Sequence, residues 1–85
     1  MKNVIIDCAG IETSRQLHAA FAEALGFPGW YGSNLDALHD CLTSLPEETE
    51  IALANFASLP ALCNGFRRVL LDAEEENPYL KVILL

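Results

Sequence analysis

Three short apolar runs limit what this chain can fold into: residues 3–7 (NVIID), 50–56 (EIALANF) and 79–85 (YLKVILL). Each is rich in residues that suit strands, and each is bounded by turn or cap signals. Helical patterns fill the intervals. Leu17, Phe21 and Leu25 recur at i, i+4, i+8 with Ala20 and Ala24 beside them. Thr13 or Ser14 can cap that helix, Gly26 ends it and Pro28 blocks its continuation, which predicts a helix over 14–25. Residues 27–34 (FPGWYGSN) are turn chemistry. Ser33 or Asn34 can cap a second helix over 34–43, with Leu35, Leu38 and Leu42 as its core stripe, and Pro46 follows. Residues 58–76 (SLPALCNGFRRVLLDAEEE) read as a short helix and a longer one, broken near Asn64-Gly65, with Asn77-Pro78 as the stop.

The predicted order is β-α-α-β-α-α-β. Strands that alternate with helices, with near-continuous apolar runs, belong to the α/β class. The expectation is a small three-stranded parallel sheet covered by about four helices. With 85 residues the chain forms one domain, 1–85, and no repeat or linker divides it. A hydrophobic fraction of 52% supplies a core and argues against disorder.

Charge is distributed unevenly. Twelve acids oppose five bases, for a net charge of −7, and residues 16–66 contain no Lys or Arg. Glu23, Asp36, Asp40, Glu47, Glu48 and Glu50 fall inside that span, and Asp72, Glu74, Glu75 and Glu76 cluster after it. Such a field disfavours nucleic acid and anionic membranes and attracts basic partners. Solubility alone explains the total, but less well the long span without a base.

The three cysteines, Cys8, Cys41 and Cys63, are odd in number and form no CxxC motif. The opening MKNVIIDCAG is too short in its apolar run for a signal peptide, and no stretch reaches the ~20 apolar residues of a membrane span. The expectation is a soluble cytoplasmic protein with free thiols. Cys8 and Cys63 read as small buried hydrophobes, and Cys41 as a packing residue turned away from the aspartates of its helix. Phe21, Phe27, Phe56 and Phe66 read as core, and His18 as a surface or boundary residue.

The second helix poses the functional question. Asp36 and Asp40 are four residues apart and so are neighbours on one helical face, with no cation nearby in sequence. The helix dipole favours Asp36 in the first turn and opposes Asp40 near the other end. Three readings remain open: a solvated polar face, a catalytic or metal site built from Asp36, His39 and Asp40, or an anionic recognition face presented with Trp30 and Tyr31 to a basic protein. The D-x-x-H-D spacing matches no established ligand set, phosphate loop or nucleophile elbow. No catalytic residue, metal or cofactor is therefore assigned.

The stretch YGSNLDALHDCL (31–42) is similar to the core motif of the barstar family of small intracellular ribonuclease inhibitors, YG-x-N-LDAL-x-DCL. Tyr31, Gly32, Asn34, Leu35, Asp36, Ala37, Leu38, Asp40, Cys41 and Leu42 match without a gap. The resemblance is strong over 28–43, and the length, element order and acidic balance extend it over essentially the whole chain. It implies inhibition by occlusion, in which the second helix and its preceding loop enter the active site of a basic, secreted, barnase-type ribonuclease, one to one. By position it implies that Asp40 is the central phosphate mimic and Asp36 a second anionic contact. Trp30 would cover the active-site opening, and Gly32, Asn34 and Leu35 would supply loop and helix-start contacts. Asp72 aligns with an acid on the last helix, and Glu76 with a rim acid. His39 and Leu45 occupy positions beside the binding helix that are tryptophan in the best-known member, and Trp30 stands where tyrosine is frequent. These departures bear on which partner is bound. The alternative is an acidic module of the same fold that binds a basic protein other than a ribonuclease.

Overall fold

Val4 and Ile6 in the first strand are buried while Ile5 between them is 76% exposed, so the sheet has one covered and one open face. The computed structural model describes residues 1–85, for Leu62 the backbone alone. The elements are β1 (Lys2–Asp7), α1 (Ser14–Leu25), α2 (Leu35–Thr43), β2 (Thr49–Ala54), α3 (Asn64–Glu76) and β3 (Leu80–Leu84). Two single 3₁₀ turns, Phe56–Ser58 and Ala61–Cys63, lead into α3.

The three strands are parallel in the order β1-β2-β3, with Val4 opposite Ile51 and Ile51 opposite Val82. Both crossovers step across the sheet in one direction. With the usual right-handed connection, that order puts every helix on the same face. Ile51, Leu53 and Leu80 join Val4 and Ile6 on that face, packed with Leu17 and Phe21 of α1, Leu38 and Leu42 of α2, and Phe66 and Leu70 of α3. Cys8 and Cys63 are buried in the same core, as expected.

The α/β class and the three-stranded parallel sheet stand, with three α-helices where about four were expected. The difference lies at 58–63. Pro60 has no N–H to donate and holds Leu59 extended (φ −66°, ψ 141°), so this stretch forms separate 3₁₀ turns and no α-helix. β2 also ends at Ala54 and not at residue 56, because Asn55 turns left-handed (φ 58°).

Local signals set the helix ends. Thr13 caps α1 in a reciprocal pair: its hydroxyl accepts from the Gln16 N–H at 3.1 Å and its own N–H donates to Gln16 Oε1 at 3.1 Å. Asn34, and not Ser33, caps α2, with Asn34 Oδ1 accepting from the Ala37 N–H at 2.8 Å. Asn77 is buried and clamps the far end of α2. Its Nδ2 donates to the carbonyls of Leu42 (2.9 Å) and Leu45 (3.3 Å), and its Oδ1 accepts from the Tyr79 N–H (3.0 Å). At the edge of β3, the outward Val82 N–H donates to Glu74 Oε2 at 2.6 Å, which blocks that donor from pairing with another strand.

Two expectations about the core need correction. His18 is buried (3% exposed) and not a surface residue. It packs on Phe66, ring centroids 4.7 Å apart, and its Nδ1 lies 2.5 Å from the Tyr31 hydroxyl. Phe27 and Phe56 are half-buried against the core, and only Phe21 and Phe66 are fully inside it.

Candidate functional site

α2 divides its residues by direction. Leu38 and Leu42 point inward and are fully buried. Leu35 and His39, one turn apart, face α3. Gly65 at the start of α3 sits so near that a Cβ there would fall 2.7 Å from Leu35 Cδ1. His39 Nε2 makes a short hydrogen bond to Glu76 Oε2 near the other end of α3. Gly65, Val69, Asp72 and Glu76 lie at i, i+4, i+7 and i+11, one stripe of that helix. Asp72 therefore stands on the same side of α3, between the two places where α3 meets α2.

Asp36 and Asp40 form the outward ridge of α2. Both are exposed, and the Asp40 side chain retains 85% of its accessible surface. Among the described residues, neither carboxylate has a Lys or Arg within ion-pairing distance. The Asp40 carboxylate lies beside the His39 ring, with Nδ1 4.0 Å away. Asp72 has a local partner, Arg68 Nε at 3.9 Å. Asp36 and Asp40 thus remain open to a cation from outside, whereas Asp72 and Glu76 already have partners.

The preceding loop forms the third side. Trp30 is 82% exposed. Tyr31 is not presented beside it, contrary to expectation. It folds back half-buried against Phe27 and His18, and burial, with the Cys41 thiol nearby, pushes its hydroxyl up to about 12. Burial also lowers the pKa of His18, so the pair holds as neutral imidazole and phenol. Ser33 is left-handed (φ 51°), a conformation that costs a non-glycine residue about 1 kcal/mol and sits at the entry to the acidic helix. A side chain at Gly32 would press on the cap, since its Cβ would come 3.0 Å from Asn34 Nδ2.

Between this loop and α2 runs an open groove of about 440 Å³. It is lined by Leu25, Gly26, Phe27, Pro28 and Trp30 from the end of α1 and the loop, and by Ala37, Asp40, Cys41, Ser44 and Leu45 from α2 and the residues just after it. Cys41, expected to turn away from the aspartates, is half-buried and lines the same groove as Asp40. Burial first, and the Asp40 charge second, raise its pKa, which keeps it a neutral thiol near pH 7.

The structure thus places Trp30, Gly32 and Asn34 on the loop, Asp36 and Asp40 on the outward ridge of α2, Leu35 and His39 on its α3 side, Leu45 just beyond its end, and Asp72 and Glu76 on the adjoining stripe of α3. Sequence reasoning missed two small residues that line the groove, Ala37 and Ser44, and the Asn77 clamp. The Ala37, Cys41, Ser44 spacing, i, i+4, i+7, is the signal that could have revealed this side of the groove. Among the described residues no group of His, Cys, Asp and Glu is arranged to hold a metal ion, and no helix is long and apolar enough to cross a membrane.

Comparison with known proteins adds two findings. Residues 1–81 match the family model described as barstar (barnase inhibitor). A protein of Bacillus subtilis (strain 168) named "Putative ribonuclease inhibitor YrdF" is 36% identical over 81 residues, which cover 89% of each chain.

Proposed function

This chain belongs to the barstar family, and from that premise we propose that it inhibits a basic, barnase-type ribonuclease by covering the enzyme's active site. It is not itself an enzyme on this reading. The observation that carries it is the Asp36/Asp40 ridge, two exposed carboxylates one helical turn apart without a Lys or Arg partner among the described residues. Like charges at that spacing cost the free protein a few tenths of a kcal/mol. Cations that bind RNA phosphate would offset that cost through charge-assisted hydrogen bonds.

Asp40 acts as the central phosphate mimic and Asp36 as the second anion. Trp30 covers the opening of the active site, and Gly32, Asn34 and Leu35 bring the loop and helix start against the enzyme. Asp72 and Glu76 extend the negative surface, while His39 and Leu45 flank the ridge and tune which partner fits. The complex is one to one and forms in the cytoplasm, where it protects the host. A net charge of −7 speeds encounter with a basic enzyme and makes association sensitive to salt.

The test is titration of the protein against a barnase-type ribonuclease at low and high salt, with RNA cleavage as the readout. Loss of activity at one equivalent, reached more slowly at high salt, is the expected result. Full cleavage in excess inhibitor would refute a barnase-type target.

A further inference from the structure

The two edges of the sheet are finished differently. On β3, two outward N–H groups are occupied: that of Leu80 by the Asn77 carbonyl at 3.0 Å and that of Val82 by the Glu74 carboxylate. On β1 the N–H groups of Lys2 and Cys8 turn inward, to the carbonyls of Glu48 and Ala54. By alternation those of Asn3, Ile5 and Asp7 turn outward, with their carbonyls. Among the described residues, the backbone N–H and C=O groups of these three make no hydrogen bond. All three residues are exposed, and Ile5, at the middle of the row, is 76% exposed. An unprotected edge with an apolar residue at its centre is a template for one more strand.

The row is complementary to itself. About a two-fold axis at Ile5, a second β1 runs antiparallel to the first. Ile5 then faces Ile5, and Asn3 of each copy faces Asp7 of the other. Every outward N–H of the two rows meets a carbonyl in this register, and the β-branched pair packs at the axis. Asp7 Oδ1 already accepts from the Ala9 N–H and from Asn55 Nδ2, both at 2.9 Å, so its second oxygen is left to accept from the Asn3 amide of the other copy. Charge permits the approach here. Lys2 and Asp7 are the only charged residues of β1 and cancel, in a chain of net charge −7. The two Asp7 carboxylates stand about 14 Å apart, at ~3.4 Å per residue, which exceeds the ~8 Å screening length at physiological salt. Ala20 and Ala24 of α1 are small and leave an open groove of about 440 Å³ along β1, which gives the second copy room. Glu23 lines the same groove and is the like charge that the axis brings towards its counterpart.

We infer that β1 is a self-association edge, at which two copies of this chain join their three-stranded sheets into one, antiparallel across the axis. With β3 blocked, each chain offers one open edge, so the pair closes and does not grow into a fibre. A single strand pair places the contact in the weak class, below about 1,200 Å² of buried surface. The pairing uses no residue of the α2 ridge and rests on no part of the inhibitor reading. The dimer carries two ridges.

The test is sedimentation equilibrium of the intact protein, with amide hydrogen exchange followed by NMR. Dimer should rise from a trace at about 10 µM to a major species near about 1 mM. Protection should grow with concentration at Asn3, Ile5 and Asp7, whereas Val4 and Ile6, already bonded to β2, should not change. Ile5→Lys sets two cations at the axis and should abolish the dimer while the circular dichroism stays that of the parent, because this side chain is exposed. Glu23→Gln should tighten association about two- to fivefold and remove most of its strengthening by salt. Ile83→Lys, on the same open face but two strands from the edge, should leave the dimer intact. A monomer at about 1 mM, a dimer that survives Ile5→Lys, or one that Ile83→Lys dissolves while the three β1 amides exchange freely would each overturn the edge.

Discussion

Replacing Asp40 with alanine should move folding stability and partner binding in opposite directions. In the free protein Asp40 is a liability. It repels Asp36 one turn away, at about 0.2–0.5 kcal/mol. It also lies towards the C-terminal end of α2, where an exposed anion costs about 0.3 kcal/mol or more. Alanine is a better helix former than aspartate by about 0.5 kcal/mol. Against these gains, the substitution removes one local attraction, that of the His39 ring with Nδ1 at 4.0 Å, at an exposed site where such a pair contributes at most about 0.5 kcal/mol. The net gain is about 0.5–1.5 kcal/mol, a rise in Tm of roughly 4–8 °C per kcal/mol for a domain this size. On the proposed inhibitor mechanism the same change removes two or more charge-assisted hydrogen bonds of about 1.5–3 kcal/mol each, so Kd should rise at least a hundredfold. Stability is read by circular dichroism, since an 82% exposed Trp30 is a poor probe of unfolding. Part of the gain should vanish at high salt, where repulsion between the aspartates is screened. A variant that is destabilised by about 1 kcal/mol or more, or that binds as tightly as the parent, would refute the assignment of Asp40 to recognition over folding.

Further predictions concern the scaffold. The pKa of His18 is lowered by burial, so the unfolded chain takes up the proton first; its contribution to stability is complete above about pH 6.5 and declines as the pH falls below that value. Urea midpoints measured down to about pH 5 should fall more steeply for the parent than for His18→Gln. Asn77→Ala removes three hydrogen bonds at a buried position and should cost about 2–4 kcal/mol, measured by urea unfolding. Glu74→Ala leaves the Val82 N–H without its carboxylate acceptor. It should cost about 1 kcal/mol and promote self-association at high concentration, which sedimentation velocity detects.

What the sequence disclosed followed from how local each signal was. The strands at 3–7 and 79–85 and the helix over 14–25 were legible because apolar spacing and caps lie within a few residues of one another. The Asp36/Asp40 ridge was legible for the same reason, since spacing on one helix needs no tertiary information. The extra helix expected before Asn64 failed on Pro60, whose missing donor outweighed a favourable composition. His18 was misplaced because its burial depends on Tyr31 and Phe66, residues 13 and 48 positions away that only the folded chain brings to it. The His39–Glu76 hydrogen bond and the groove were illegible in the same way, as both depend on how α2 settles between α3 and the loop.

The parallel register has a kinetic consequence for the acidic face. Lys2 pairs with Thr49 and Thr49 with Leu80, so no strand finds its neighbour through a tight turn. Folding must close long loops before the sheet offers anything in return. α2 has only nine residues and carries like charges at adjacent turns, too short and too strained to persist by itself. The ridge is therefore expected to form only together with the sheet. A peptide copied from residues 27–45 would contain Trp30, both aspartates and Leu45, yet in water it would be mostly unstructured. On the proposed function, recognition belongs to the completed fold and is acquired in the same step as its stability.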